Sequence, residues 1–196
     1  MDTNVLNNST TQQQTSTLLS CFEPTDVKEI DEIIKEVGIK CSPSDFLPQE
    51  LFSDNINVMK DLIVLLVNKS LSTGSNEGVK SADLVPLLKE SSLDKNKFNN
   101  FRPVSNLIFL GKLIERVVQR RLDEHMKANN LHIPNQSAYK KNNSTETLSI
   151  RLTNDILIAC DQQKATVLML LDLSAAFDTV DHTLLLKILE EEIGIT

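Results

Sequence analysis

Apolar residues first recur at helical spacing over Val27, Ile30, Ile33, Ile34 and Val37. Acidic residues crowd the first turn and Gly38 stands at the stop, so a helix is expected from near Thr25. A Ser/Pro loop follows over 41–48. Asp54 then reads as the cap of a second helix, with Ile56, Met59, Leu62, Ile63, Leu66 and Val67 on a wide apolar face and Gly74 as its stop. Segment 83–89 reads as a short strand. Pro86 cannot donate to a ladder, which makes it an edge strand or a bulge. Arg102 and Pro103 cannot lie inside a helix. Ser105 reads as the N-cap of a long helix carrying Leu107, Leu110, Leu113, Ile114, Val117, Val118, Leu122 and Met126. A box at 143–146 opens another helix through Leu148, Leu152, Ile156 and Ala159. The strongest element is 165–173, ATVLMLLDL, whose continuous apolar run predicts a strand buried on both faces. It runs into Asp172, a turn over 174–179 and a last helix over 183–192, started by Asp181 or His182.

Composition narrows the class. The chain has 196 residues, 40% hydrophobic and 24% charged, which is enough for a core and excludes collagen-like, disulfide-scaffold and wholly disordered chains. Only 5 glycines are present, which leans toward helices and away from an all-β barrel. Residues 1–17 are almost all Asn, Thr, Gln and Ser and cannot offset their ordering entropy, so a disordered polar tail is expected over 1–24. No internal repeat is visible.

Cys21, Cys41 and Cys160 form no C-x-x-C and are odd in number. They read as buried free thiols in a reducing compartment, with no disulfide partner. The longest apolar runs, 62–67 and 167–171, fall far short of the ~20 residues that span a bilayer. No apolar stretch of signal-peptide type precedes Lys28. The location expected is therefore intracellular, cytoplasmic or nuclear, with no membrane partner. The formal charge is -7, but unevenly spread. Residues 101–151 hold nine Lys/Arg against four Asp/Glu, and the remainder eleven against twenty-three. That basic segment is either a solvated helix face or a polyanion surface. With no Trp and one Tyr, stacking of bases on an aromatic platform is excluded.

Asp172 occupies a recurring placement for a hard-cation ligand, the exit of an apolar strand before a turn and a helix. Mg²⁺ is commonly held by one or two carboxylates plus substrate phosphates. The same pattern also suits a helix cap or a phosphoacceptor. Asp178 and Asp181 stand close enough to join a metal cluster, although a cap at Asp181 and a turn support at Asp178 explain them more simply. His182 beside the cap reads as structural.

The string at 171–182, LDLSAAFDTVDH, resembles motif A of the reverse transcriptases of non-LTR retrotransposons, of the jockey-like, LINE-type kind. SLSTG at 70–74, PLLK at 86–89, FRPVSNL at 101–107, QSAYK at 136–140 and STE at 144–146 resemble successive family segments in the same order. The resemblance covers about residues 25–196. It implies an α+β, helix-rich fold: the fingers and start of the palm of a right-hand polymerase. Residues 25–80 are then a helical N-terminal extension and 81–196 a partial reverse transcriptase domain.

The implied activity is that of an RNA-directed DNA polymerase, a nucleotidyltransferase of transposable elements. It uses Mg²⁺, an RNA template, a DNA primer and a dNTP. On matching positions, Asp172 is the catalytic, metal-binding aspartate, with the Leu173 carbonyl beside it. Phe177 is the steric gate under the sugar, and Ala175 and Ala176 line the nucleotide pocket. Arg102 clamps the triphosphate with its planar fork, and Lys89 assists. Arg116, Arg120, Arg121, Lys140 and Lys141 are the candidate nucleic-acid contacts.

Two departures qualify this. The family segment QSGFRP has Ala138, Tyr139, Lys140 and Lys141 in its last four places, so a glycine's freedom at positive φ is lost at Ala138. No Asp-Asp pair occurs among the 196 residues, so the second catalytic carboxylate of the family is missing. The chain is therefore expected to be a truncated N-terminal fragment ending just after motif A, inactive alone. Other readings are a non-catalytic nucleic-acid-binding remnant using 101–151, and a phosphoacceptor domain with Asp172 modified. Without the family's later hairpin, 165–180 should be exposed or self-associating.

Overall fold

The computed structural model describes residues 18–75, 77–173 and 176–196. The part of the polar tail at 1–17 lies outside them. The elements are α1 (Val27–Val37), α2 (Gln49–Thr73), β1 (Ala82–Leu88), a 3₁₀ turn (Phe98–Asn100), β2 (Phe101–Leu107), α3 (Phe109–Ala128), α4 (Thr145–Asp161) and α5 (His182–Glu191). They belong to two compact units, one comprising Leu19–His125 with Thr196, the other Leu18 and Met126–Ile195. The class is a mixed one, helices with a small antiparallel sheet.

The first unit is built on three helices. Asp26 caps α1 by accepting the Glu29 N–H at 2.7 Å, and Gly38 ends it. α2 begins at Gln49 behind Pro48 rather than at Asp54. Pro48 needs no N–H at a helix start, and its carbonyl accepts from Phe52 at 3.1 Å, so the helix gains a turn and Phe52 becomes a core residue. Gly74 closes α2 at φ 65, where a Cβ would be strained. The buried stripe of α2 is Phe52, Ile63 and Val67, narrower than the sequence pattern predicts, because Leu62 and Leu66 face solvent. Ile30 and Ile33 of α1 and Phe109, Leu113 and Val117 of α3 complete the core. The rings of Phe46, Phe52 and Phe109 meet edge to face, with centroids 5.2 and 5.1 Å apart.

β1 and β2 form an antiparallel ribbon in which Pro86 faces Pro103 and Leu87 faces Arg102. The Lys89 N–H donates to the Asn100 carbonyl at 2.8 Å. Counting back along the alternation makes Pro86 and Pro103 a non-hydrogen-bonded pair, whose N–H positions point away from the partner strand. Neither proline therefore removes a ladder bond. Ser105 lies in β2 and caps nothing. The strand runs directly into α3, whose Phe109 N–H is taken by the Asp45 carboxylate at 2.9 and 3.1 Å.

In the second unit, Ser144 and Thr147 form the reciprocal box that opens α4, and the Asp181 carboxylate accepts from the N–H groups of Thr183 and Leu184 to open α5. Neither helix has a buried residue. Segment 165–173 belongs to no strand, and Val167 and Leu171 are 88% and 87% exposed. The doubly buried strand read from the sequence is thus not formed. A strand is buried on both faces only between sheet neighbours, and none is present for it among the described residues. Its backbone groups are therefore left without ladder partners among the described residues.

The cysteines also differ from expectation. Cys21 and Cys160 are exposed, and only Cys41 is half-buried, where desolvation raises its thiol pKa. No helix among the described residues is long and apolar enough to cross a membrane.

Two outcomes follow from this packing. Amides of 167–171 should exchange far faster than those of the Leu113–Val117 turn in a hydrogen-exchange experiment on the monomer; equal protection would mean that the segment is covered. Phe52→Ala should lower unfolding stability by about 3–5 kcal/mol, read by denaturant melts, since it removes the middle ring of the aromatic row.

Candidate functional site

The β1–β2 ribbon presents two of the candidate residues. Arg102 lies on β2 opposite Leu87, two positions before Lys89, and the period of two puts both cations on one side of the ribbon. Both are exposed. The Lys89 ammonium donates to the Asn99 carbonyl at 2.7 Å, which steadies the turn. Two cations on one side of an extended ribbon, one with a planar fork, suit a polyphosphate.

The basic residues of α3 are arranged otherwise. Arg121 donates to both oxygens of Glu29 at 2.9 and 2.6 Å, and to the backbone carbonyls of Glu23 and Pro24. Arg120 stands 3.6 Å from Glu29 and Glu32 and 3.2 Å from Glu36. Glu29, Glu32 and Glu36 lie on one face of α1, at helical spacing, and that acidic face meets the basic face of α3. The Arg121 fork holds the Glu29 carboxyl below its usual range, and Glu29 in turn raises the Arg121 pKa. On α1 as well, the hydrogen bonds from Lys35, at 2.7 Å, and then from Lys60 hold the Asp31 carboxyl at about 2. Arg116 donates to Gln119 at 2.8 Å and stays exposed beside a cleft of about 640 Å³ that Lys40 and Lys112 also line.

In the second unit, Asp172 and Leu173 end the extended run in solvent. Phe177 is exposed, and its ring meets that of Tyr139 edge to face, 6.2 Å between centroids. The QSAYK segment and the motif A turn are therefore in contact. The residue at positive φ is Tyr139, at 60°, and not Ala138. An aromatic side chain held there is strained. Next to it, Lys140 donates to the Ile133 carbonyl at 2.8 Å, and Lys141 is exposed. Ala176 lies in the turn, and Ala175 falls outside the described residues. Asp181 serves as a cap, and the described residues contain no group of three or more metal-type side chains. The oxygens offered at the motif A turn, the Asp172 carboxylate and the Leu173 carbonyl, fit a hard divalent cation in kind but supply only part of a shell.

Two features were missed in the sequence. The acidic stripe of α1 and the basic stripe of α3 are each visible as helical spacing, but nothing local pairs them. Asp45 and Asp83, the anchors of the ribbon, carry no local signal. Asp83 accepts from the Ser42 and Ser44 hydroxyls, which hold its carboxyl below the usual range.

Comparison with known proteins defines the class. Residues 92–193, just over half of the chain, match the family model of reverse transcriptase (RNA-dependent DNA polymerase), and the chain belongs to that family. It is 27% identical over 163 residues to the probable RNA-directed DNA polymerase from transposon BS of Drosophila melanogaster. It is 25% identical over 165 residues to the RNA-directed DNA polymerase from mobile element jockey of Drosophila funebris. Each match covers 82% of this chain and 18% of the relative's length. No solved structure matches.

The Glu29–Arg121 pair predicts a pH-dependent stability. Because the folded carboxyl titrates below 4.5, its contribution is full above that pH and is lost as pH falls through the folded value. Glu29→Gln should cost about 1–3 kcal/mol near pH 7, with the difference from the parent chain shrinking below about pH 4. Urea melts across that range check it; a constant difference would assign the loss to packing.

Proposed function

We propose that the chain forms the nucleotide side of a non-LTR reverse transcriptase, its fingers and the beginning of a right-hand palm, with 25–80 as a helical extension. The observation that carries this is the ribbon with Lys89 and Arg102 on one side, inside a chain of this family. In the reaction of the family, a primer 3′-OH attacks the α-phosphate of a dNTP. A P–O bond forms, pyrophosphate leaves, and an RNA template selects the base. Arg102 would hold the triphosphate with its fork, assisted by Lys89. Phe177 would lie under the sugar and disfavour a 2′-OH, with the backbone of Ala175 and Ala176 lining the pocket. Asp172, with the Leu173 carbonyl, would hold the divalent cation. Mg²⁺, when bound, neutralises charge on the phosphates and activates the attacking hydroxyl.

One carboxylate positions two ions poorly, and transition-state electrostatics supply much of the rate. The 196-residue chain alone should therefore give no primer extension on RNA with Mg²⁺ or Mn²⁺. Its nucleotide side can still be assayed: magnesium dTTP should bind weakly, and Arg102→Ala should lower the affinity about tenfold or more. Template-dependent extension abolished by Asp172→Asn would overturn the first statement; dTTP binding indifferent to Arg102→Ala would overturn the second.

For the nucleic-acid side, the pairing of Arg120 and Arg121 with α1 leaves Arg116, Lys140 and Lys141 of the five candidate cations. Neutralising those three should lower the slope of log K against log salt for RNA by about two units, at ~0.7 per contact. Arg120→Gln with Arg121→Gln should lower stability and leave the slope unchanged. The reverse pattern would restore the whole basic segment as the RNA surface.

A further inference from the structure

A two-stranded ribbon has too little packing to hold a direction by itself, and along β1–β2 Leu84, Leu87 and Val104 all face solvent. Its base is fastened instead. Asp83 and Asn106 face each other across the ladder. The Asp83 carboxylate accepts from the Ser42 hydroxyl, from the Ser44 hydroxyl at 2.7 Å and from the Ser44 N–H at 3.2 Å. The Asn106 side-chain oxygen accepts from the Lys112 ammonium at 2.7 Å, and the same ammonium donates to the Lys40 carbonyl at 2.9 Å. Asp45 of the same loop takes the Phe109 N–H just past β2. The lead-in to β1 crosses α3 at Gly111, where a Cβ would stand 3.0 Å from the Val79 carbonyl oxygen. Every one of these attachments comes from loop 40–45 or the first turn of α3.

We propose that loop 40–45 is the seat of the hairpin, and that Asp83 and Asn106 are positioning residues that set where it carries Lys89 and Arg102. The nucleotide role rests on the reading of the hairpin as a triphosphate clamp. The geometry is that of a lever. Arg102 lies four residues from Asn106, about 13 Å along an extended strand. A tilt of about 15° at the base therefore moves it by about 3 Å, and misplacements of about 1 Å already matter at reacting centres. The ribbon has no face buried along its length to resist such a tilt, so the polar contacts at its base decide its aim.

The test uses the full chain with Cys21, Cys41 and Cys160 replaced by alanine, and spin labels at Asp54→Cys on α2 and Lys95→Cys in the ribbon's end loop. Electron–electron distance measurements should give one narrow distribution in this parent. Asp83→Ala should at least double its width and lower magnesium dTTP affinity about tenfold, with the helical melting of the parent retained. Asp83→Asn, which keeps an acceptor oxygen, should recover most of the narrowness. If Asp83→Ala fails to fold, Ser44→Ala removes the hydroxyl contact to Asp83 from an exposed side chain, leaves the backbone N–H contact in place and should broaden the distribution to a smaller extent. Unchanged widths in these variants would overturn the proposal. The distance readout needs no nucleotide, so a failure of dTTP to respond to Arg102→Ala would count against the clamp reading and not against the seat.

Discussion

The Asp45 carboxylate stands at the start of α3, where the local sequence offers no polar cap. Leu107 and Ile108 lead straight from β2 into Phe109, and the first N–H of the helix is satisfied from 64 residues upstream. A carboxylate there also meets the positive end of the helix dipole. Because the cap is brought in from afar, the strand needs no polar break before the helix, and Ser105 is free to be a strand residue. The same loop then ties β1 through Asp83, so the ribbon, α3 and the α1–α2 connection share one junction. The three-helix core behind it supplies the rigidity that a ribbon lacks.

Charge in this chain is organised by pairing as much as by exposure. Residues 101–151 carry the excess of Lys and Arg, yet the strongest contacts of Arg120 and Arg121 are to carboxylates of α1. Arg121 is also bound to two backbone carbonyls, a fork spent on holding the chain ahead of α1. A guanidinium so engaged is a poor phosphate ligand, since binding would first have to break bidentate contacts in a half-buried place. Net charge over a segment thus overstates the polyanion surface. Of the five candidate cations, Arg116, Lys140 and Lys141 are the ones not paired with a carboxylate of α1.

The two units differ in what holds them. The first buries eight apolar side chains together. The second has well-capped helices whose apolar residues, such as Ile150, Leu157 and Leu186, face solvent. Its contact between Tyr139 and Phe177 joins two motifs that the chain separates by nearly forty residues. Asp172 therefore sits on backbone whose position owes little to packing. Among the described residues, neither a sheet nor a core holds Asp172.

Much was legible from local physics. The ends of α1, the Gly74 stop, the box opening α4 and the Asp181 cap follow from contacts within four residues, and the strand at 83–89 was legible from its local pattern. The family itself is legible because its motifs are local strings in a fixed order. All but one of the errors share one cause. Ser105 as a cap, the burial of 165–173 and of the cysteines, and the freedom of Arg120 and Arg121 each depend on a partner distant in sequence, whereas Asp54 as a helix start overlooked the local signal of Pro48. An apolar run declares that it can be buried, but only a neighbouring strand buries it. A basic stripe declares its charge, but only the acidic face of α1 decides that two of its arginines are structural. The chain by itself determined most of its helices, its local caps and its kinship; the tertiary structure decided the cap of α3, which charges stay available and how the hairpin is anchored, because these turn on hydrogen bonds between residues tens of positions apart.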